Sequence, residues 1–248
     1  MTEYKNNLER FDSFFREYQN NVPVIYSTIT GQYDGTVYFY EEEGIAILVT
    51  AFDFIFVAGN SSHPKAEELV HDLIFNHLVK KEQRKDIIMF GPDERWNMIL
   101  ERVFQLHHGV KDDRKCYQLN RDKFKKVVNE FEGKLSNIML EQEHENNSKF
   151  DYPVANYYVE HEKASFCAAF MMTDQHAEID VGTQETYRNH GYAKKAALVL
   201  IQHLIERGIE PNWCTWPYRK ESQNLALSIG FELETDVPAH IWVEDFGL

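Results

Sequence analysis

The chain has 248 residues, of which 43% are apolar and 14% aromatic, enough for a packed core and too many for a disordered polymer. Its formal net charge of −14 disfavours a nucleic-acid partner, because phosphate backbones select basic surfaces; acidity of this kind suits an amine-bearing substrate or simply keeps a protein in solution. No run of about 18 apolar residues occurs, so no membrane-spanning helix or membrane partner is expected.

The amphipathic start "MTEYKNNLERFDSFFREYQ" is unlike a signal peptide, which points to a cytoplasmic protein. Leu8, Phe11, Phe14, Phe15 and Tyr18 recur at helical spacing and predict a docked helix. "GTVYFY", "IAILVT" and "FDFIFVAG" then read as an antiparallel meander. "HPKAEELVHDLIFNHLVKK" predicts a helix, "DIIMFGP" a short strand, and "DERWNMILERVFQL" a second helix capped by Asp93. The turn "AGNSSHP" could accept an anion but lacks a glycine pattern and reads as a polar loop. His107-His108 has no i,i+4 partner and reads as surface rather than as a metal site; no metal is expected anywhere. Residues 1–112 thus form a small α+β domain.

A second domain covers residues 113–248. "RKCYQL" reads as a strand, "NRDKFKKVVNEF" as a helix capped by Asn120, "KLSNIMLEQEH" as another helix, and "ENNSK" as a mobile polar stretch. "PVANYYVEH" and "KASFCAAFMMTD" predict a hairpin about Glu162, and "HAEIDVGT" a third strand. A helix from Ala193 to Arg207 follows, then a strand "NWCTW", a helix "KESQNLALSI" stopped by Gly230, and two strands, "FELET" and "HIWVED". No internal repeat is visible. Cys116, Cys167 and Cys214 are widely spaced, without a C-x-x-C pair, and read as small buried residues of a reduced protein.

The stretch Glu178 to Gly208, "EIDVGTQETYRNHGYAKKAALVLIQHLIERG", carries the candidate chemistry. Along the strand, Ile179 and Val181 face one way, and Glu178, Asp180 and Gly182 the other. Along the helix, Ala193, Ala197, Leu200, Ile201 and Leu204 form one apolar stripe, with Gly208 as the C-terminal cap. The helix start points its donor N–H groups at Arg188, Asn189, His190, Gly191 and Tyr192, and such an end attracts anions. Gly191 lets a diphosphate come close to the backbone, while Arg188 and Lys194-Lys195 add charge. On these residues alone, a plain strand-to-helix loop remains equally open.

"RNHGYA", Arg188 to Ala193, resembles the R/Q-x-x-G-x-G/A signature of the GNAT superfamily of acyl-CoA-dependent N-acyltransferases, and "SIGFE" resembles the step that closes the acyl-CoA site. The order of elements over about the last 135 residues is similar too, and the likeness is greatest to a bacterial subgroup with a small extra N-terminal domain. The resemblance implies a mixed, mainly antiparallel sheet flanked by helices, preceded by a smaller α+β domain. It implies acetyl-CoA as co-substrate and an amine acceptor, and a homodimer is allowed. By the same resemblance, Arg188 to Ala193 hold the diphosphate, and Val181, Gly182 and Thr183 receive the pantetheine arm. Glu178 matches the place of a catalytic glutamate, with Asp180 as the alternative base. The tyrosine that many members use as acid is replaced by Ala226, and a frequent asparagine by Arg219; Tyr218 or Ser222 could substitute. The rival readings are a catalytically idle acyl-CoA-binding or regulatory module, and a nucleotide binder, against which the lack of a Walker-type G-x-x-x-x-G-K-[ST] argues.

Overall fold

The computed structural model describes residues 1–19, 23–52, 54–144, 146 and 148–244; Asp53, Glu145, Asn147 and Asp245 of the stretches quoted above lie outside the described residues. The chain packs as two compact units, Met1–Arg114 joined by the segment from Val237 on, and Lys115–Asp236. The terminal segment thus groups with the first unit, whereas the reading from sequence assigned it to the second. Each unit holds a mainly antiparallel sheet flanked by helices.

In the first unit, β1 (Thr2–Tyr4) precedes a 3-10 turn at Leu8–Phe11 and helix α1 (Asp12–Gln19). Leu8, Phe11, Phe15 and Tyr18 are buried, as their spacing requires. Helix α2 (Pro23–Ile29) was not foreseen. Its β-branched residues suggest a strand, and burial nearly all round erases any helical period. Its Ser27 and Thr28 hydroxyls both donate to the Val24 carbonyl (3.0 and 2.9 Å), which satisfies them in the core.

Strands β2 (Gly35–Tyr40), β3 (Ile45–Thr50) and β4 (Phe54–Gly59) form the expected meander. Helix α3 (Ala66–His71) continues as a π-helical stretch, Asp72–Val79, and leads to β5 (Asp86–Phe90), parallel to β4. Helix α4 (Glu94–Gln105) starts where the Asp93 carboxylate accepts the Trp96 N–H at 2.8 Å. In "AGNSSHP" the Asn60 side chain accepts the Ser62 N–H, an ordinary polar turn. His107 is half-buried rather than at the surface: its ring stacks on Phe75 with centroids 3.6 Å apart, and loss of water lowers its pKa.

The pairing of β4 with β5 covers Phe54–Phe56, yet β4 runs on to Gly59. The edge beyond is filled from within the unit. The Tyr18 hydroxyl lies 2.8 Å from the Val57 carbonyl and 2.9 Å from that of Phe90 and shares its one proton between them, and the Trp96 indole N–H donates to the carbonyl of Gly59 (3.2 Å).

In the second unit, β6 (Val110–Leu119) enters from the first, and helix α5 (Arg121–Glu130) is capped by Asn120, which accepts the Lys123 N–H at 3.1 Å. The sequence "KLSNIMLEQEH" is not a helix but holds strand β7 (Ile138–Glu143), antiparallel to β8 (Tyr152–Val159). Long-range polar pairs decide this. Glu141 accepts from Asn156 (2.6 Å) and Tyr158 (2.9 Å), and Glu143 pairs with Lys163 (2.8 Å). Strand β9 (Glu162–Phe170) closes a hairpin through Glu160 and His161, both at positive φ, just ahead of the expected turn residue.

Strand β10 (His176–Thr183), helix α6 (Tyr192–Glu206), β11 (Glu210–Thr215) and α7 (Lys220–Ile229) complete the unit. "FELET" and "HIWVED" are not separate strands but parts of one, β12 (Phe231–Val243), which ends in the first unit. Pro238 does not break it, because a proline costs a strand one donor and leaves the extended path intact. Strand order is β1-β2-β3-β4-β5-β12 in the first unit and β12-β6-β11-β10-β9-β8-β7 in the second. The succession of helix, antiparallel strands, helix, parallel strand and helix therefore occurs twice, although no sequence repeat betrays it.

Candidate functional site

The site is built on β10. This strand stays paired with β9 from Glu178↔Phe170 to Thr183↔Ser165, but its parallel pairing with β11 covers only His176–Glu178. Strand β11 meanwhile continues to Thr215, paired with β6 through Trp213, Cys214 and Thr215. From Ile179 onward, the β10 edge that faces β11 therefore lies outside any ladder. Backbone groups on such an edge can receive an extended ligand as one more strand. This is the same place that Tyr18 and Trp96 fill in the first unit.

Around Gly182 the strand is tightly fitted. A β-carbon there would stand 2.4 Å from the Phe166 ring, so glycine is what allows this aromatic to lie across β10. Ser165 donates its hydroxyl to the Gly182 carbonyl at 2.8 Å and contacts the Thr183 hydroxyl at 2.9 Å. These contacts hold Gly182 and Thr183 from the β9 side.

The segment Arg188–Ala193 then turns into α6. Asn189 and Gly191 both adopt left-handed backbone, at φ 66° and 74°. Gly191 is the N-cap residue and offers no side-chain cap, so the first-turn N–H groups of α6 point outward without one. A β-carbon on Gly191 would meet nothing within 4 Å, which makes the space over the helix start open. Arg188 is exposed beside it. An aromatic stack props the loop: Tyr192 lies on Tyr157 of β8 with centroids 4.2 Å apart, and His190 on Tyr192 at 5.4 Å. The Lys195 ammonium sits 5.3 Å from the Tyr157 ring. Tyr157 is absent from the sequence reading, since nothing local marks a partner 35 residues away.

The two carboxylates share a face of β10. Glu178 is 5% exposed, at the last residue paired with β11. Asp180 follows where that pairing has ended; water reaches its side chain, yet surrounding protein partly desolvates it and raises its pKa, against a hydrogen bond from the Val181 N–H. Ile179 and Ala177 point the other way, into the core with Leu200, Ile201 and Leu204 of α6. Ala226 is fully buried on α7. Tyr218, 64% exposed, stands on the turn before α7 beside Arg219, and Ser222 accepts the Trp213 indole N–H at 3.1 Å. Among the described residues no cluster of three or more His, Cys, Asp or Glu side chains suits a metal ion.

The sequence profile described as GNAT acetyltransferase matches residues 12–158 and 157–239. The chain belongs to the GNAT acetyltransferase family. A search of curated protein sequences finds no match. Among solved structures, a GCN5-related N-acetyltransferase-like protein from Streptococcus suis is 18% identical, with TM-score 0.67 over 95% of this chain and 98% of its own. A tandem GNAT protein from the clavulanic acid biosynthesis pathway reaches TM-score 0.56 at 8% identity, with 98% of each chain covered. A conserved protein of unknown function from Staphylococcus epidermidis gives 0.56 at 13% identity, over 83% of this chain and 93% of its own. At these identities the likeness is one of fold, and it fits a GNAT protein with two GNAT-like units.

Proposed function

We propose that this GNAT protein transfers an acetyl group from acetyl-CoA to a primary amine, and does so in its second unit. The observation that carries the proposal is the early parting of β10 from β11 opposite a helix start with no side-chain cap. Val181, Gly182 and Thr183 offer a backbone edge for the pantetheine arm, and Arg188, Asn189, His190, Gly191, Tyr192 and Ala193 a cradle for the diphosphate. The open space over Gly191 fits such a group.

Bound there, the thioester would supply the activated acyl group. The Gly182–Thr183 backbone N–H polarises a carbonyl. Glu178 takes the proton from the attacking amine, through a water if need be, with Asp180 as the second carboxylate on that face. Tyr218 is the remaining candidate acid for the leaving thiolate, which leaves readily without one. The net acidity of the chain favours a cationic amine as acceptor.

A second reading, an idle acyl-CoA-binding module, draws on one observation: Ala226 fills the place of the usual tyrosine and is wholly buried. Thiol release from acetyl-CoA across a panel of small amines and peptide amines separates the two. Amine-dependent release supports the enzyme; binding without release on every amine supports the idle module.

A further inference from the structure

Cys116 and Cys214 lie directly opposite one another on the antiparallel strands β6 and β11. The Cys214 thiol donates to the Cys116 sulfur, with the two Sγ atoms 3.0 Å apart. Directly opposed residues of an antiparallel pair have Cα atoms about 4.5–5.5 Å apart, within the range of about 4.4–6.8 Å that a disulfide spans. Only side-chain rotation is needed to bring the sulfurs to bonding distance. The thiols also differ in access: Cys116 is 3% exposed, while Cys214 is half-buried.

We infer that Cys116 and Cys214 form a reversible disulfide site, with Cys214 as the attacking thiol, Cys116 as the resolving thiol, and a peroxide as oxidant. Cys214 sulfur, as thiolate, attacks one peroxide oxygen; the O–O bond breaks, leaving a sulfenic acid and a hydroxide, which takes up the proton the thiol released and becomes water. Cys116 sulfur then attacks the sulfenic sulfur, the S–O bond breaks, and the departing hydroxide takes the Cys116 proton as a second water. Two thiols are oxidised by two electrons in all, and one peroxide is reduced. Thiols convert the bond back by exchange. Cys167 provides an internal control, because it is fully buried and burial pushes its thiol pKa well up. The bond lies in β11, the strand that borders the open edge of β10, but its formation does not depend on the acyl-CoA reading.

The test treats the full chain with equimolar hydrogen peroxide, then unfolds and alkylates it without reductant. Intact mass should show the loss of two hydrogens and one alkyl group instead of three. Peptide mapping should recover a linked pair containing Cys116 and Cys214, and dithiothreitol should restore three alkyl groups. In Cys116→Ser, dimedone should trap a sulfenic acid on Cys214. Three alkyl groups after peroxide, a sulfinic acid on Cys214, or a bond between two chains would overturn the inference. The native-chain masses decide the matter even if the variant fails to fold.

Discussion

Two glycines at opposite ends of α6 form a matched pair for testing the anion cradle. Gly191, the N-cap, has φ 74°, and Gly208, just past the C-terminal end, has φ 76°; a β-carbon on either would meet nothing within 4 Å. Alanine at either position therefore suffers no clash and bears only the left-handed backbone, which costs about 1–2 kcal/mol. For the unit Lys115–Asp236 that is a fall of about 4 °C in melting temperature per kcal/mol. The two substitutions should match in melting temperature and differ in binding. At Gly191 the methyl stands where a diphosphate has to approach the first-turn N–H groups, and a lost hydrogen bond to a charged group costs about 1.5–3 kcal/mol. Acetyl-CoA affinity should fall at least about tenfold in Gly191→Ala, with no change in Gly208→Ala. Calorimetric titration beside a melting curve for each variant reads both quantities. Unchanged affinity in Gly191→Ala would refute the cradle, and equal losses in both would trace the effect to helix stability.

Replacing Glu178 with Gln should cut turnover by about 10²–10⁴-fold while acetyl-CoA binding is retained; a wild-type rate would remove Glu178 as base. Partial desolvation raises the Asp180 pKa, so if its carboxylate relays the proton, activity should rise with pH above the ordinary carboxylate range, and Asp180→Asn should abolish that limb. His240 in the first unit is 1% exposed, and loss of water holds its pKa down at about 4, against 6.5 when free. The unfolded chain therefore binds a proton that the folded chain refuses, and stability should fall as pH drops through this window, by about 3 kcal/mol in all. His240→Gln should flatten denaturant midpoints measured from pH 7 to 4; an unchanged slope would contradict the assignment.

What the sequence revealed was whatever neighbouring residues decide between themselves. Asp93 and Asn120 cap their helices as read, because a cap concerns a residue and the turn after it. The turn that ends at Gly191 and opens α6 was legible as a strand-to-helix junction for the same reason. Strand β7 was not legible: Leu135, Ile138 and Met139 sit at helical spacing, and what holds it in a strand, the ladder to β8 and the contacts of Glu141 and Glu143 with Asn156, Tyr158 and Lys163, comes from elsewhere in the chain. The point where β10 leaves β11 is set by pairing partners some 34 residues apart, Glu178 and Asn212, and has no local mark. Nor could spacing show that Tyr18 reaches Val57 and Phe90, which fills in the first unit the edge left open in the second.

That contrast yields the most direct test of the central claim. Calorimetric titration of the reduced chain with acetyl-CoA should give saturable binding of one molecule per chain, competed by coenzyme A. Absence of heat at millimolar acetyl-CoA would contradict the site on β10, and two molecules per chain would contradict the closed edge in the first unit.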